Sequence, residues 1–268
     1  KVNIEYRLKE YTNRKAIHSP WKVISISRYL DSYFKSHGLE SILIPVIMDI
    51  NSIEYSLKSN TDKTVFVYAG GPGRKDYLKE IIEGFAFLTQ EQISKIEFHI
   101  IGVDKKSLMK ICGVSLESIE KLGKSLYIHG RLPREETIKW VEASDFSVLL
   151  RNSSLRYAQA GFPTKVVESL ACGTPVICNL SSDLEKYMQD AVNGFIVSGH
   201  SANDFTKTVM RALQSSTEAK KQMRKKARDT AELFFDYRNY SEVLNRFLGE
   251  TTSLSFYKSI SQKKHKAD

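Results

Sequence analysis

The sequence predicts an α/β fold in which a parallel, doubly wound sheet is flanked by helices. Short apolar runs of strand length alternate with helical patterns along most of the chain. The 268 residues are 41% hydrophobic, which is enough to form a sizeable core, and no apolar run approaches the length of a membrane span. Strands that alternate with helices imply a parallel sheet whose ligands bind at the carboxyl ends of the strands.

The first sixty residues contain two predicted strands. Helical character over residues 4–17 ends at Ser19-Pro20, and a strand follows at residues 22–26. A helix is predicted over residues 28–36, and residues 41–47 form the next strand. Two strands are too few to close a core of their own.

The alternation is most regular after residue 63. The predicted strands lie at residues 64–68, 96–101, 125–128 and 146–150, and the helices between them at residues 77–88, 105–112 and 135–143. Further along, a turn at Asn193-Gly194 precedes a strand at 195–197, and helices follow at 202–213, 217–235 and 240–248. The sequence shows no internal repeat.

Residues 151–179 connect two of these strands through a loop and a short helix. Pro163 suits the first helical position, because its φ is already fixed and its missing N–H has no partner there. The helix is therefore predicted to begin near Phe162 and to end at Gly173, and a strand follows at residues 175–178.

The start of this helix is a candidate anion site. The N–H groups of Thr164 and Lys165 have no partner within the helix. Lys165 and Glu168 lie three positions apart on the polar side, which points back towards the loop and the strand ends. An amphipathic helix with a solvated Lys and Glu is the alternative interpretation.

The segment GFPTKVVESLACGTPVI, residues 161–177, resembles the signature of the group 1 (family 4) glycosyltransferases of the GT-B fold. The resemblance covers about residues 20–245 of the chain. In that family a loop and a helix start hold the donor diphosphate, and a helix Glu holds the nucleotide ribose. Two family Glu residues stand eight positions apart. Glu168 matches the second of them, and Ala160 stands at the position of the first.

The resemblance also implies a domain order. Residues 1–58 are expected to be the end of an N-terminal, acceptor-side domain. Residues 59–235 would be a Rossmann-like domain of the GT-B C-terminal type, which binds the nucleotide-sugar donor. Residues 236–268 would be a C-terminal crossing helix and a polar tail, with the helix docked on residues 1–50. The chain would then carry only a remnant of the N-terminal domain.

A glycine-rich loop, Gly70-Gly71-Pro72-Gly73, follows a strand and precedes a helix, where backbone can approach a phosphate. It is not a dinucleotide-binding pattern, because Asp76 stands at the third glycine, and it lacks the terminal Gly-Lys-hydroxyl set of a P-loop. In the resembling family this loop supplies an Arg and a Lys to the donor diphosphate. Lys75 matches the Lys, Gly71 stands at the position of the Arg, and Arg74 is the candidate to compensate. A solvated helix start is the alternative interpretation.

The resemblance implies Lys75 and Glu168 as the catalytic residues. The further donor-binding candidates are Gly71, Arg74, Gly130, Arg151, Gly161, Phe162, Thr164 and Lys165. Arg151 follows the carboxyl end of a strand, where it could reach a phosphate or the acceptor, and Gly130 ends another strand beside His129. No metal site is predicted, because the histidines form no spaced pair and no Asp-x-Asp occurs.

The formal charge of +9 favours anionic partners. Much of the excess lies in residues 220–228 and 263–266, which are interpreted as a solvated basic face, with contact to an anionic membrane surface as the alternative. No nucleic-acid partner is predicted, because the basic runs lack interleaved aromatic residues. Cys112, Cys172 and Cys178 show no C-x-x-C spacing and are predicted to be reduced core thiols in the cytoplasm.

The resemblance therefore implies a retaining, metal-independent glycosyltransferase that uses no cofactor. The donor would be a nucleotide-diphosphate sugar such as a UDP- or GDP-sugar. The acceptor would be a saccharide or a lipid-linked acceptor, in surface polysaccharide or glycan biosynthesis, in the cytoplasm or at the inner face of the membrane. The alternatives are a catalytically silent nucleotide-sugar binding module and a GT-B epimerase or phosphorylase. Because most of the acceptor domain is expected to be missing, the chain is predicted to bind donor but to turn it over slowly or not at all.

Overall fold

The computed structural model of the chain describes residues 11–12, 14–15, 17–19, 21–55, 62–72 and 75–249. In the helix predicted at residues 4–17, residues 11, 12, 14, 15 and 17 are described and helical. The rest of that helix, Arg74 and the chain beyond residue 249 lie outside the described residues.

Eight strands are described, in a small sheet of two and a large sheet of six. They are β1 Val23–Ser25, β2 Ser41–Leu43, β3 Thr64–Ala69, β4 Ile96–Ile101, β5 Leu126–Gly130, β6 Phe146–Leu149, β7 Val176–Asn179 and β8 Gly194–Val197. The large sheet has the order β5-β4-β3-β6-β7-β8, and every neighbouring pair in it is parallel. The predicted doubly wound parallel sheet is confirmed. Its strand order reverses between β3 and β6, which is where such sheets bind ligands.

Eleven helices of the described residues connect and cover these strands. They are α1 Arg28–Ser36, α2 Leu78–Ala86, α3 Gln90–Ser94, α4 Lys105–Cys112, α5 Leu116–Leu122, α6 Arg134–Ala143, α7 Arg156–Ala160, α8 Thr164–Ala171, α9 Ala202–Leu213, α10 Thr217–Phe234 and α11 Ser241–Leu248. Among the described residues, no helix is both long enough and apolar enough to cross a membrane.

An aromatic cluster joins the centre of the large sheet to α2. The ring of Phe85 lies 5.0 Å from Phe66 of β3 and 4.6 Å from Phe98 of β4, measured between centroids. Phe66 also stacks on Phe146 of β6 at 5.7 Å. All four rings are fully buried, and each contributes about 1.5 to 3 kcal/mol through burial. This packing holds together the strands on both sides of the order reversal.

The small sheet is shorter than the sequence predicts. β2 ends at Leu43, whereas the predicted strand runs to residue 47. β1 has only three residues to pair with it, and Pro45 has no N–H to donate to a further ladder bond. The prediction of a longer strand is wrong for these physical reasons.

Three short helices, α3, α5 and α7, were not predicted. The first two carry signals that the sequence does contain. Thr89 caps α3 in a box with Gln92, and the Ser115 side chain caps α5. The helix predicted to begin near Phe162 begins instead at Thr164, so Pro163 lies one position before it.

The basic run on α10 is only partly a solvated face. Arg224 is 2% exposed and Arg228 is 9% exposed, so the prediction is wrong for these two residues. Arg224 donates to the carbonyls of Glu142 and Ser144, at 3.0 and 2.8 Å. Both side chains lie where backbone carbonyls would otherwise be buried without partners.

The C-terminal segment contacts residues near the N-terminus of the described chain. The Lys22 ammonium donates to the carbonyl of Phe247 in α11 at 2.6 Å. The Met48 N–H donates to Phe235 O at 2.9 Å, and the Tyr237 N–H donates to Met48 O at 3.1 Å. The three cysteines are free thiols, and burial raises the pKa of Cys172 and Cys178 to about 12.

Candidate functional site

A row of glycines ends three neighbouring strands of the large sheet. Gly70, Gly102 and Gly130 follow or close β3, β4 and β5. The N–H of Gly102 donates to Gly130 O at 2.6 Å, and the N–H of Gly70 donates to Ile101 O at 2.8 Å. A Cβ on Gly102, whose φ is 105°, would lie 2.5 Å from the carbonyl carbon of Gly70. The row therefore lets the strand ends pack closely together, and it leaves room for the Lys165 side chain, whose Cε would lie 2.5 Å from a Cβ on Gly70.

Gly102 was not among the predicted site residues. The available signal was its position directly after an apolar run at residues 96–101. Gly71, which was predicted, has open space around it, because an added Cβ would meet no heavy atom within 4 Å. Gly130 has similar space. The edge can therefore accept a ligand close to backbone.

Across the order reversal, Arg151 follows β6 and is held by a side chain from β7. The Arg151 N–H donates to Asn179 Oδ1 at 2.9 Å, and Asn179 Nδ2 donates to Arg151 O at 2.7 Å. Asn179 is only 6% exposed, and the sequence analysis did not identify it. Two reciprocal hydrogen bonds of this kind fix the backbone of Arg151 at the sheet edge.

Asp76 is the centre of a buried charge cluster formed by Tyr68, Asp76, Arg151 and Lys165. The Asp76 side chain is 2% exposed. It accepts hydrogen bonds from the Tyr68 hydroxyl at 2.7 Å, from Arg151 Nε at 2.8 Å and from Lys165 Nζ. Lys165 Nζ also contacts the Tyr68 hydroxyl at 2.7 Å. The helical spacing correctly predicted that Lys165 points to the strand ends.

The protonation states in this cluster follow from burial and charge. Burial alone would raise the pKa of Asp76, but Lys165 and Arg151 outweigh it and hold that pKa below its ordinary value. Burial lowers the pKa of Lys165, and the Asp76 carboxylate opposes this. Burial and then Asp76 raise the pKa of Tyr68 well above its ordinary value, so the phenol stays neutral. The cluster therefore holds two cations against one anion.

The start of α8 lies on the same side of the sheet. Within the described part of the chain, the N–H groups of Phe162, Thr164 and Lys165 make no hydrogen bond. The N–H of Gly161 differs, because it donates to Tyr157 O at 3.0 Å. Unpaired N–H groups at a helix start favour an anion.

A profile described as "Glycosyl transferases group 1" matches residues 49–230, which is more than half of the chain. The chain belongs to the group 1 glycosyltransferases. A search of curated protein sequences gave no significant match.

Solved structures show the same fold at low sequence identity. Sucrose-phosphate synthase from Thermosynechococcus elongatus is 18% identical, with a TM-score of 0.69, over 85% of this chain and 57% of its own. HepE of Anabaena in complex with UDP and glucose is 16% identical, with a TM-score of 0.65, over 84% of this chain and 62% of its own. TarM of S. aureus is 16% identical, with a TM-score of 0.66, over 85% of this chain and 43% of its own. This glycosyltransferase chain thus spans about three fifths of the length of sucrose-phosphate synthase and of HepE.

The two predicted catalytic residues of this glycosyltransferase lie on different elements. Lys75 is exposed in the turn before α2, and its carbonyl accepts a hydrogen bond from the Tyr157 hydroxyl at 3.1 Å. The Glu168 side chain on α8 is 35% exposed and lies 3.5 Å from Arg134 Nη2. Arg134 begins α6 and was not predicted as a site residue.

Ala160 and Phe162 take part in the candidate site mainly through their backbone groups and through side-chain packing. Ala160 O accepts a hydrogen bond from Ser27 Oγ at 2.8 Å, which joins the site to the start of α1. The Phe162 ring is buried and packs 5.6 Å from Tyr187 and 5.8 Å from Phe235. Only the backbone of Phe162 is available for a ligand.

A histidine within β4 and a histidine near the end of β5 form a stacked pair. His99 Nδ1 lies 2.9 Å from His129 Nε2, and both rings pack on Trp140 at 4.5 and 4.6 Å. Burial lowers the pKa of His129. Among the described residues, no group of three or more His, Cys, Asp and Glu side chains is arranged to hold a metal ion.

Proposed function

We propose that this group 1 glycosyltransferase transfers a sugar from a nucleotide-diphosphate donor to a saccharide or lipid-linked acceptor, with retention of anomeric configuration. The observation that carries the proposal is the edge at the order reversal. There Gly71 and Gly130 have open space beside their backbone, Lys75 lies exposed in the turn before α2, and α8 carries both the unpaired N–H groups at its start and Glu168. HepE, whose structures contain UDP and UDP-glucose, supports a nucleotide sugar as donor.

The proposed chemistry is stabilisation of the leaving group. As the bond between the anomeric carbon and the phosphate oxygen breaks, its electron pair stays on the diphosphate. Lys75 and the N–H groups of Phe162 and Thr164 would stabilise that charge without a metal ion or a cofactor. Glu168 would accept hydrogen bonds from the ribose hydroxyls and so position the donor.

The acceptor side is proposed to lie where the N-terminal residues meet the loops after β6 and β7. A cavity of about 310 Å³ lies there, and hydroxyl, amide and carboxylate side chains line most of it. Its polar lining includes Tyr29, Ser153, Gln159 and Ser182. Side chains of these types suit the hydroxyl groups of a sugar. Such an acceptor is the reason to propose surface polysaccharide or glycan biosynthesis, in the cytoplasm or at the inner membrane face.

Calorimetric titration of UDP, GDP and ADP into the chain tests the donor site. One nucleotide is expected to bind, and Lys75→Ala and Glu168→Ala are each expected to weaken it by about 1 to 3 kcal/mol, because each removes a hydrogen bond to a charged group. Lys79→Ala is the matched control. Lys79 lies one turn further along and pairs with Glu83 at 3.6 Å. Nucleotide binding that neither substitution weakens would contradict the assigned roles.

A catalytically silent nucleotide-sugar binding module is the second candidate. Ala160 favours it, because a methyl group cannot make the sugar contact that the family makes with a Glu at this position. The two candidates differ in one measurement. Transfer of labelled sugar by the complete polypeptide supports the enzyme, whereas donor binding without transfer to saccharide or lipid-linked acceptors supports the silent module.

A further inference from the structure

Arg151 is fixed at the sheet edge with both Nη groups of its guanidinium unused. Its backbone is held by Asn179, and its Nε donates to Asp76 Oδ1. Within the described part of the chain, its two Nη groups have neither a hydrogen bond nor an ion pair. They are also not among the buried side-chain atoms that lack a partner, so they reach solvent. Four N–H donors are therefore available in a defined position.

Lys165 does not offer donors in the same way. Its Nζ contacts Asp76, the Tyr68 hydroxyl at 2.7 Å and, more weakly, Gly71 O at 3.5 Å. Its three N–H bonds are accounted for by these three oxygens. Asp76 balances only one of the two positive charges in the cluster. The remaining charge is consequently available to a ligand through Arg151.

A net positive charge that is largely buried has a high desolvation cost unless an anion binds to it. The side chains of Arg151 and Lys165 are 14% and 17% exposed. A planar guanidinium with two open Nη groups matches two oxygens of one phosphate, which a lysine ammonium does not. The shape and the charge of the open edge therefore fit a phosphate group.

We propose that the Nη edge of Arg151 binds a phosphate of the donor diphosphate. This inference rests on the proposed donor site and assigns one further residue to it. β6 is the neighbour of β3 in the sheet, so Arg151 reaches the edge beside Gly71, which stands at the position of the family arginine. The cation comes from a different strand, and Asp76 and Asn179 hold it in place.

Titration of inorganic pyrophosphate and of UDP, GDP and ADP into the full chain tests this role. Arg151→Gln is expected to weaken the binding of pyrophosphate, and of the nucleoside diphosphate that the wild type binds, by about 10- to 100-fold, because charge-assisted hydrogen bonds are lost. Binding of the corresponding nucleoside, which has no phosphate, measures the effect of the substitution on the rest of the site. That effect should be small. Arg156→Gln is the control, because Arg156 is exposed and lies on the neighbouring helix α7.

A second variant keeps the test informative if Arg151→Gln does not fold. Arg151→Lys retains a charge beside Asp76 but cannot present the paired Nη groups, so it is expected to fold and to bind pyrophosphate about 10-fold more weakly. Wild-type affinity for pyrophosphate in Arg151→Lys and in any folded Arg151→Gln overturns the inference, as does equal weakening by Arg156→Gln. A wild-type chain that binds neither pyrophosphate nor a nucleoside diphosphate also overturns it.

The same titration separates the inference from the proposed function. If pyrophosphate binds through Arg151 and no nucleoside diphosphate binds, the anion site stands and the donor proposal fails. If a nucleoside diphosphate binds equally well to wild type and to both Arg151 variants, the donor proposal stands and the role of Arg151 fails.

Discussion

Asp76 shows how one buried carboxylate can organise a site. Its oxygens accept hydrogen bonds from a phenol, a guanidinium and an ammonium that come from β3, the end of β6 and α8. The carboxylate is ionised although it is buried, because two cations outweigh the cost of desolvation. Loss of this charge would leave both cations without their common partner.

Asp76→Asn is therefore expected to destabilise the chain in a pH-dependent way. The folded-state pKa lies below the ordinary value of 3.8, so the carboxylate contributes stability above that value and loses it as the pH falls through the folded-state pKa. Near neutral pH the substitution should cost about 2 to 5 kcal/mol. The difference from wild type should shrink as the pH falls below 4.

Urea unfolding at a series of pH values measures that difference. Asp229→Asn is a suitable control, because the Asp229 side chain is 47% exposed and its ion pair with Lys226 spans 3.7 Å. It should change little at any pH. A cost of Asp76→Asn that is the same at pH 7 and pH 3 would contradict the assigned charge state.

At the scale of single residues, the two cations Arg151 and Lys165 could be predicted from the sequence more easily than the anion Asp76. Arg151 and Lys165 could be selected because strand ends and helical spacing place them at the edge. Asp76 was noted only as a departure from a glycine pattern. Its burial depends on partners 75 and 89 positions away, and no local pattern encodes that convergence.

Helix α10 shows how a basic run can act inside a fold. The Arg228 guanidinium donates to the carbonyls of Ala171, Ile53 and Ile50, at 2.6, 3.0 and 3.1 Å. It thereby connects the end of α8 to the segment that leads from the N-terminal residues into β3. Helical periodicity could predict α10, but charge alone could not distinguish its buried arginines from its exposed lysines.

Replacement of Arg228 by Met is expected to cost about 2 to 4 kcal/mol, because several buried carbonyls would lose their donor while the apolar volume is largely kept. Lys225→Met on the exposed side of the same helix should change stability by less than about 0.5 kcal/mol. Equilibrium urea unfolding of both variants provides the comparison. Equal stability of the two would mean that the Arg228 contacts contribute nothing net.

At the scale of the whole molecule, the sequence predicts a parallel sheet flanked by helices better than it predicts the order of the strands in that sheet. The alternation of apolar runs and helical patterns was sufficient for a parallel sheet, and the Gly71, Gly130 and Arg151 positions follow from strand ends. The order in which β3 and β6 become neighbours is set by packing between residues about 80 positions apart, such as Phe66 and Phe146. The glycine row and the Asp76 cluster depend on that order, so they could not be assembled from local signals.

The two sheets are expected to differ in hydrogen exchange, because they differ in the support they receive. The small sheet pairs three residues with three, and a sheet of that size is not stable independently. In native conditions, residues 23–25 and 41–43 should therefore exchange by local opening. Residues 96–101 and 146–149, in the buried centre of the large sheet, should exchange only with global unfolding.

Contacts of α1 with the segment that follows β7 should limit this local opening. The Arg28 side chain pairs with Asp183 at 3.2 Å and with Glu185, whereas Lys35, further along α1, pairs with Asp31 of its own helix at 2.8 Å. Arg28→Ala should therefore speed exchange in the small sheet and leave the large sheet unchanged, and Lys35→Ala should do neither. Hydrogen-exchange mass spectrometry of the three proteins measures this directly. If Arg28→Ala speeds exchange equally in both sheets, the small sheet is part of the global folding unit, and the contacts of α1 with the segment after β7 stabilise the whole molecule.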